Sequence, residues 1–314
     1  MKIIENKEQF TIDESTAVAI GKFDGVHLGH RALLKEILDQ KKERLKSAVL
    51  TFSPLPEVFF RTLPDKELST KEEKRRLFAS IGIDYLVEFP FNRKTAGMPS
   101  DRFISDILVR DMHAAYIAAG TDLSFGSRGA GNFALLDYLS DRYGYQTKMI
   151  RKVEMDGKVI SSTLVRSLVS EGRMEEARRA LGAPYSVLGR VLHGQALGRR
   201  IAIPTVNQIP EPEKLLPPFG VYFSRVHIGS GAQEKIYDGM TNIGVKPTVE
   251  SDGRVTVETH MYDFSGDLYG QTIVTDLLTF RRLEQRFSGV EELKTAMEGD
   301  LQAGRAYFDA HKAH

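Results

Sequence analysis

Cysteine and tryptophan are both absent from the 314 residues. Without cysteine there is no disulfide framework, no thiolate metal site and no thiol nucleophile, so any catalysis must use other groups. The lack of tryptophan carries no functional meaning. Neither sign of charge is in excess: 43 Lys and Arg stand against 42 Asp and Glu, a net charge of +1. Such a balance gives no field for gripping nucleic acid or an anionic membrane, and no basic-aromatic patch makes up for it. The first 11 residues are mixed and charged, without the apolar stretch of a signal peptide or membrane span. A soluble, cytoplasmic chain with small-molecule partners is expected, binding neither nucleic acid nor membrane. The phosphate loop Gly-x-x-x-x-Gly-Lys-Ser/Thr is also missing, so any nucleotide chemistry uses another cradle.

The length is large for one core, and two domains are expected. Apolar, strand-like runs fall at 17–20, 48–52, 85–89, 114–119 and 147–150, with helix-like segments between them. Their centres recur about every 30 residues, the length of a βαβ unit. The pattern predicts an α/β domain of Rossmann type, an open parallel sheet with helices on both faces and a ligand crevice at the carboxyl ends of the strands. A helix-like stretch at 174–181 stops at Gly182-Ala183-Pro184. The boundary is placed there, giving domains 1–183 and 184–314. Beyond it the period switches to two, at 221–228, 255–261 and 273–278, which predicts a small, mostly antiparallel barrel. Val290, Leu293, Met297, Leu301 and Phe308 mark one face of a closing helix, despite Gly299 and Gly304.

The most informative stretch is 21–30, Gly-Lys-Phe-Asp-Gly-Val-His-Leu-Gly-His. It follows the first apolar run and precedes an amphipathic helical pattern, so the unit is strand, glycine-rich turn, helix. Gly21, Gly25 and Gly29 remove side-chain bulk where backbone must approach a ligand, and the helix start offers unpaired N–H groups to an anion. His27 and His30 converge on the same phosphate and stabilise charge built there during transfer. Solvent-facing histidines or a metal site are the plainer readings. The second is weakened because no cysteine, third histidine or nearby carboxylate stands at ligand spacing. Ser161, Ser162 and Thr163 precede Arg166 by about a helical turn. They read either as phosphate ligands, with Arg166 neutralising phosphate charge, or as an ordinary N-cap.

In the second half Pro204-Thr205-Val206-Asn207 sets two neutral oxygens two residues apart, a donor set suited to Mg2+ beside ATP phosphates, or simply a turn with a buried Thr and Asn. Glu258 lies in an alternating strand whose apolar neighbours Val255, Val257 and Met261 show no clean single face. It is positioned as a general base or is a solvent-facing Glu.

The His-x-Gly-His pair resembles the signature of nucleotidyltransferases. Together with Ile160-Ser161-Ser162-Thr163-x-x-Arg166, the chain resembles the bacterial bifunctional riboflavin kinase and FAD synthetase family. The resemblance extends to Thr51-Phe52-Ser53-Pro54-Leu55-Pro56, where Leu55 replaces the family's histidine. It includes Gly120-Thr121-Asp122-Leu123-Ser124-Phe125-Gly126, the glycine-arginine run from Gly194 to Arg200, Pro204-Thr205-Val206-Asn207, and the blocks at 240–249, 257–264 and 280–287. It implies that ATP phosphorylates riboflavin to FMN in the barrel, yielding ADP, and that a second ATP adenylylates FMN to FAD in the first domain, yielding pyrophosphate. Mg2+ is required for both, with no tightly bound prosthetic group. The implied roles are Glu258 as base, Thr205 and Asn207 on the metal, Gly198 and Arg199 over the kinase nucleotide, and Asp122, Phe125 and Arg282 on flavin. Gly21, Phe23, Asp24 and Gly25 shape the adenylylation loop. Two rivals are a kinase whose other site is weakened by Leu55, and a flavin- or nucleotide-binding regulator without turnover.

Overall fold

The computed structural model describes residues 1–61, 66–192, 204–245 and 255–311. The chain divides into two compact units, Met1–Leu164 and Val165–His314. This division falls within a helix, Ser162–Ser170, upstream of the 183/184 break read from the sequence.

In the first unit β1 (Lys2–Glu5), β2 (Thr16–Ile20), β3 (Lys46–Ser53), β4 (Tyr85–Pro90), β5 (Ala114–Gly120) and β6 (Gln146–Ile150) form a six-stranded sheet. Its order is β1-β4-β3-β2-β5-β6 and every pair is parallel. All five expected strands are present. The strand not expected, β1, is a short edge strand whose Ile3 lies open to solvent, so it carries no core pattern. β2 is buried throughout because both faces are covered. Val18 and Ile20 join a core with Phe103, Ile104 and Ile107 of the π-helical stretch Phe103–Asp111. Ala17 and Ala19, pointing the other way, pack with Leu33, Leu34 and Ile37 of helix Leu28–Asp39 and Phe78 of helix Lys71–Ser80. From β2 the chain first builds outward through β3 and β4, then crosses to β5 on the opposite side. The order reverses between β2 and β5, and such a switch point opens a crevice at the carboxyl ends of both strands. A two-strand ribbon, β7 (Glu154–Met155) and β8 (Lys158–Val159), follows.

In the second unit β9 (Tyr185–Leu192), β10 (Val206–Pro210), β11 (Gly220–Ile228), β12 (Lys235–Val245), β13 (Val255–Met261) and β14 (Thr272–Leu283) close into an antiparallel barrel. Its order is β10-β13-β12-β11-β14-β9. Val257, Thr259 and Met261 are buried on one face of β13 while Thr256, Glu258 and His260 stay half-buried on the other. The apolar neighbours of Glu258 therefore do share a face. The sequence obscured this because a threonine occupies one of its inward positions. That threonine belongs to a buried hydroxyl ladder: Ser224 Oγ and Thr241 Oγ1 are 2.7 Å apart, and Thr241 Oγ1 and Thr259 Oγ1 are 2.8 Å apart. Gln208, also fully buried, donates to the carbonyls of Val187 and Ile273 and accepts from Thr275 Oγ1.

Helix Val290–Ala310 covers part of the outer wall. Its buried line is Asp300, Gly304 and Phe308, four residues apart, and Phe308 packs on Phe223, Tyr262 and Leu278. Val290, expected on this face, is instead mostly exposed at the first turn. Gly304 has a steric reason to be in a helix: a Cβ there would lie 2.2 Å from the Tyr262 hydroxyl.

Candidate active sites

The turn after β2 enters the switch-point crevice under backbone strain. Phe23, Gly25 and Val26 have φ of 52°, 81° and 41°, and a β-branched residue in that region persists only where its surroundings enforce it. Phe23 is fully buried, with its ring edge-on to Phe78 at 5.6 Å and tilted against His30 at 5.0 Å. It supports His30 from beneath and is not open to a nucleotide. A Cβ at Gly21 would come within 3.1 Å of the same ring. His27 is the N-cap of helix Leu28–Asp39 but makes no side-chain cap bond, which leaves the leading amides to an external acceptor.

His27 and His30 stack at 3.9 Å with their planes 20° apart. The Nδ1 atoms of both are buried without a hydrogen-bond partner among the described residues. Burial pushes His27 down to about 4, against smaller upward pulls from Asp24 and Asp122. His30 lies well below the ordinary imidazole value, first through burial and then through His27, Lys74 and Lys22. Both rings are therefore neutral at pH 7, a pair of unsatisfied dipoles at a helix start with cationic side chains nearby. An anionic oxygen satisfies that arrangement. Gly29 makes the stacking possible, since a Cβ there would sit 3.1 Å from His27 Cε1.

The rest of the predicted loop is bracing. The Asp24 carboxylate accepts the Leu68 N–H at 2.8 Å, and the Asp24 carbonyl accepts from Ser162 Oγ at 2.9 Å. Ser161 Oγ caps helix Ser162–Ser170 by accepting the Leu164 N–H at 3.2 Å, while Thr163 stays exposed. The N-cap reading of the hydroxyls thus applies to Ser161, and Ser162 ties the helix start to the histidine loop. Arg166 lies half-buried one turn further along, beyond the division between the units.

Across the crevice, after β5, Asp122 is largely exposed, pairs with Lys152 at 3.3 Å and contributes to the field at His27. Phe125 is only 5% exposed, packs against Phe103 at 5.3 Å and fills the space left by Gly131. Its faces are covered, so it is a wall of the loop and offers no stacking surface for a flavin. An aromatic group missed in the sequence lies at the ends of β3 and β4. Phe91 meets Phe52, Phe59 and Phe60 at 5.8, 5.4 and 5.7 Å, and Phe60 is 59% exposed. The adjacent Phe59-Phe60 pair, following two prolines, was the available signal. Leu55 is buried, presenting hydrocarbon at this position.

On the barrel, register places Asn207, Glu258 and Asn242 side by side across β10, β13 and β12 on the outer face. Thr205 Oγ1 donates to Glu258 Oε1 at 2.9 Å, and His260 Nδ1–H donates to the Pro204 carbonyl at 2.9 Å. Two outward side chains of β13 thus hold the segment that carries Thr205. Asn242 and His260 fall within the blocks at 240–249 and 257–264, but the sequence assigns them no role, because register is not visible in one strand at a time. Arg282 is engaged by the closing helix: its Nε and Nη2 donate to Asp300 Oδ2 at 2.9 and 2.7 Å. Gly198 and Arg199 lie outside the described residues. Among the described residues no group of three or more His, Asp or Glu could hold a metal. A hard cation here would rest on the Thr205 and Asn207 oxygens, with phosphate and water completing its shell. That donor set fits Mg2+.

Residues 9–164 match the family model for FAD synthetase and 181–308 that for riboflavin kinase. The bifunctional riboflavin kinase/FMN adenylyltransferase of Escherichia coli K12 is 37% identical over 301 residues, covering 95% of each protein. Those of Haemophilus influenzae and Listeria monocytogenes are each 34% identical, covering 95% and 98% of this chain and 96% and 98% of their own. A crystal structure described as a macrolide-efflux protein from Streptococcus pneumoniae has a TM-score of 0.84 and 28% identity, covering 97% of this chain and 98% of its own. Among the described residues no helix is long and apolar enough to cross a membrane. With a parallel-sheet unit bearing the histidine pair, a barrel bearing the Thr-x-Asn and Glu row, and relatives aligned from end to end, this chain belongs to the bifunctional riboflavin kinase/FMN adenylyltransferase family.

Proposed function

We propose that the barrel converts riboflavin and ATP to FMN and ADP, and that the crevice between β2 and β5 converts FMN and a second ATP to FAD and pyrophosphate. The observation that carries the second step is the stacked histidine pair at a helix start, whose two buried Nδ1 atoms have no hydrogen-bond partner among the described residues. In the kinase step Glu258 takes the proton of the riboflavin 5′-hydroxyl as its oxygen bonds to the γ-phosphorus and the bond to ADP breaks. Thr205 and Asn207 hold Mg2+, which neutralises phosphate charge when bound. In the adenylylation step an FMN phosphate oxygen, already anionic, attacks the α-phosphorus and pyrophosphate leaves. No strong base is needed. His27 and His30 donate to phosphoryl oxygens as charge grows, and Arg166 with the helix start at Ser162 receives the pyrophosphate.

The exposed faces of Phe60 and its neighbours suit the isoalloxazine better than the covered ring of Phe125, and we assign Arg282 to holding the closing helix. We keep the functional boundary at 183/184, because the element from Ser161 to Arg166 serves adenylylation although the compact units divide within it. Two ATP-consuming steps place the enzyme in the cytoplasm. The test is product analysis with riboflavin, ATP and Mg2+. Glu258→Gln is expected to abolish FMN formation yet spare FAD formation from supplied FMN, and His30→Ala to do the reverse. Loss of both activities from either folded variant overturns the two-site assignment.

A further inference from the structure

We infer that Asn242 is the residue that grips the polyhydroxyl chain of the flavin substrate in the barrel site. The inference rests on the kinase reading of Glu258. Asn242 is half-buried, and its amide has no hydrogen-bond partner among the described residues. It stands directly opposite Glu258 in the β12–β13 register, while Asn207 stands opposite Glu258 on the other side. Directly opposed side chains in antiparallel strands lie about 5 Å apart at Cβ, so Glu258 is flanked closely by one amide on each side.

The chemistry of the transfer assigns the two sides. Phosphoryl transfer runs in line, with the attacking oxygen and the departing ADP at opposite ends. If Thr205 and Asn207 hold the metal and phosphates, and Glu258 meets the attacking hydroxyl, the rest of the acceptor extends away from Asn207 toward Asn242. Past Asn242 the row continues to buried Val221, and the neighbouring Phe219 and Leu283 are 39% and 62% exposed. Along the wall the order is therefore metal ligand, carboxylate, free amide, apolar surface. The substrate has the matching order: reacting hydroxyl, chain hydroxyls, flat apolar ring. An asparagine amide offers two donors and an acceptor, which complements hydroxyls able to play either part.

The test compares riboflavin with a flavin whose side chain is a plain ω-hydroxypentyl group, which keeps the reacting hydroxyl and lacks the others. Asn242→Ala is expected to raise KM for riboflavin about 10-fold. KM for ATP should be unchanged, and the variant and the original protein should treat the hydroxypentyl flavin alike. Asn242→Thr, a residue suited to strands, repeats the comparison should alanine loosen the barrel, with thermal unfolding as the check. An equal penalty on both flavins, or a raised KM for ATP alone, overturns the inference. Glu258→Gln is measured in parallel. Its retention of turnover would defeat the kinase reading itself, which is a different result from any failure at Asn242.

Discussion

A buried imidazole with an empty acceptor or donor position is held at a cost, and two of them in ring contact are held only by strong surroundings. Phe23 beneath His30 and the missing side chain at Gly29 supply those surroundings. Gly29→Ala should therefore separate stability from activity. Alanine favours the helix by up to about 1 kcal/mol, yet its Cβ forces His27 to move by a few tenths of an ångström. FAD formation is expected to fall about 10-fold, with FMN formation and thermal stability undiminished.

The histidines also set a pH dependence. The His27 pKa is depressed from 6.5 to about 4 on folding, so the unfolded chain binds more protons than the folded one below neutrality. Stability contributed by the neutral ring is present above the unfolded value and is lost as pH falls toward the folded one. The loss approaches about 3 kcal/mol near pH 4. Bound ATP reverses the preference, because phosphate stabilises the charged ring. ATP binding to this unit is expected to take up protons at pH 6 to 7, seen calorimetrically as a heat that varies with the buffer's ionisation enthalpy. A buffer-independent heat would contradict it. The histidine motif was legible in the sequence because its chemistry is carried by adjacent residues. The idle amide of Asn242 was not, because its meaning comes from strands far away in the chain.

Among the elements, legibility followed apolar patterning more than burial. β2 to β6 were readable from apolar runs even though β6 is mostly exposed, whereas β1 is an exposed edge and β9, β10 and β12 mix polar side chains with apolar ones. β12 reads poorly because Thr241 faces inward to a hydroxyl and Asn242 faces outward to the site. The closing helix was legible, but its glycine was not explained. Gly304→Ala should destabilise the barrel by about 2 kcal/mol through overpacking despite better helix propensity. Tyr262→Phe in the same chain should recover part of the loss, as measured by denaturant unfolding. If the double variant is no better than the single one, the Tyr262 hydroxyl is not the obstacle. His227 links β11 to β14 through Asp276 at 3.0 Å and reaches Glu234 at 3.3 Å, and the Asp276 bond, with the carboxylate charges, raises its pKa against the downward push of burial. Its contribution is full below the unfolded histidine value and is lost as pH rises through the raised one. His227→Gln should therefore flatten the fall in barrel stability above about pH 6.5.

For the whole molecule, FMN is the product of one proposed step and the substrate of the other. A mixture of Glu258→Gln and His30→Ala chains should accordingly form FAD from riboflavin, because FMN released by one chain can be adenylylated by the other. Failure of the mixture, with each variant retaining its single activity, would show that FMN must stay within one chain. The fold classes of both units were legible because period and strand spacing differ so sharply across the chain. Helix Ser162–Ser170 contributes residues to either side of the division between the compact units.

The hydroxyl ladder inside the barrel gives up hydrophobic stabilisation that valines would have supplied. Its bonds exist in one alignment of β11, β12 and β13, and a slip of one residue would turn every hydroxyl outward and every outward polar group into the core. The row of Asn207, Glu258 and Asn242 exists only in that same alignment. The ladder thus acts as a proofreading device for assembly, in which a misaligned barrel is penalised before it can present a catalytic wall with its groups out of line.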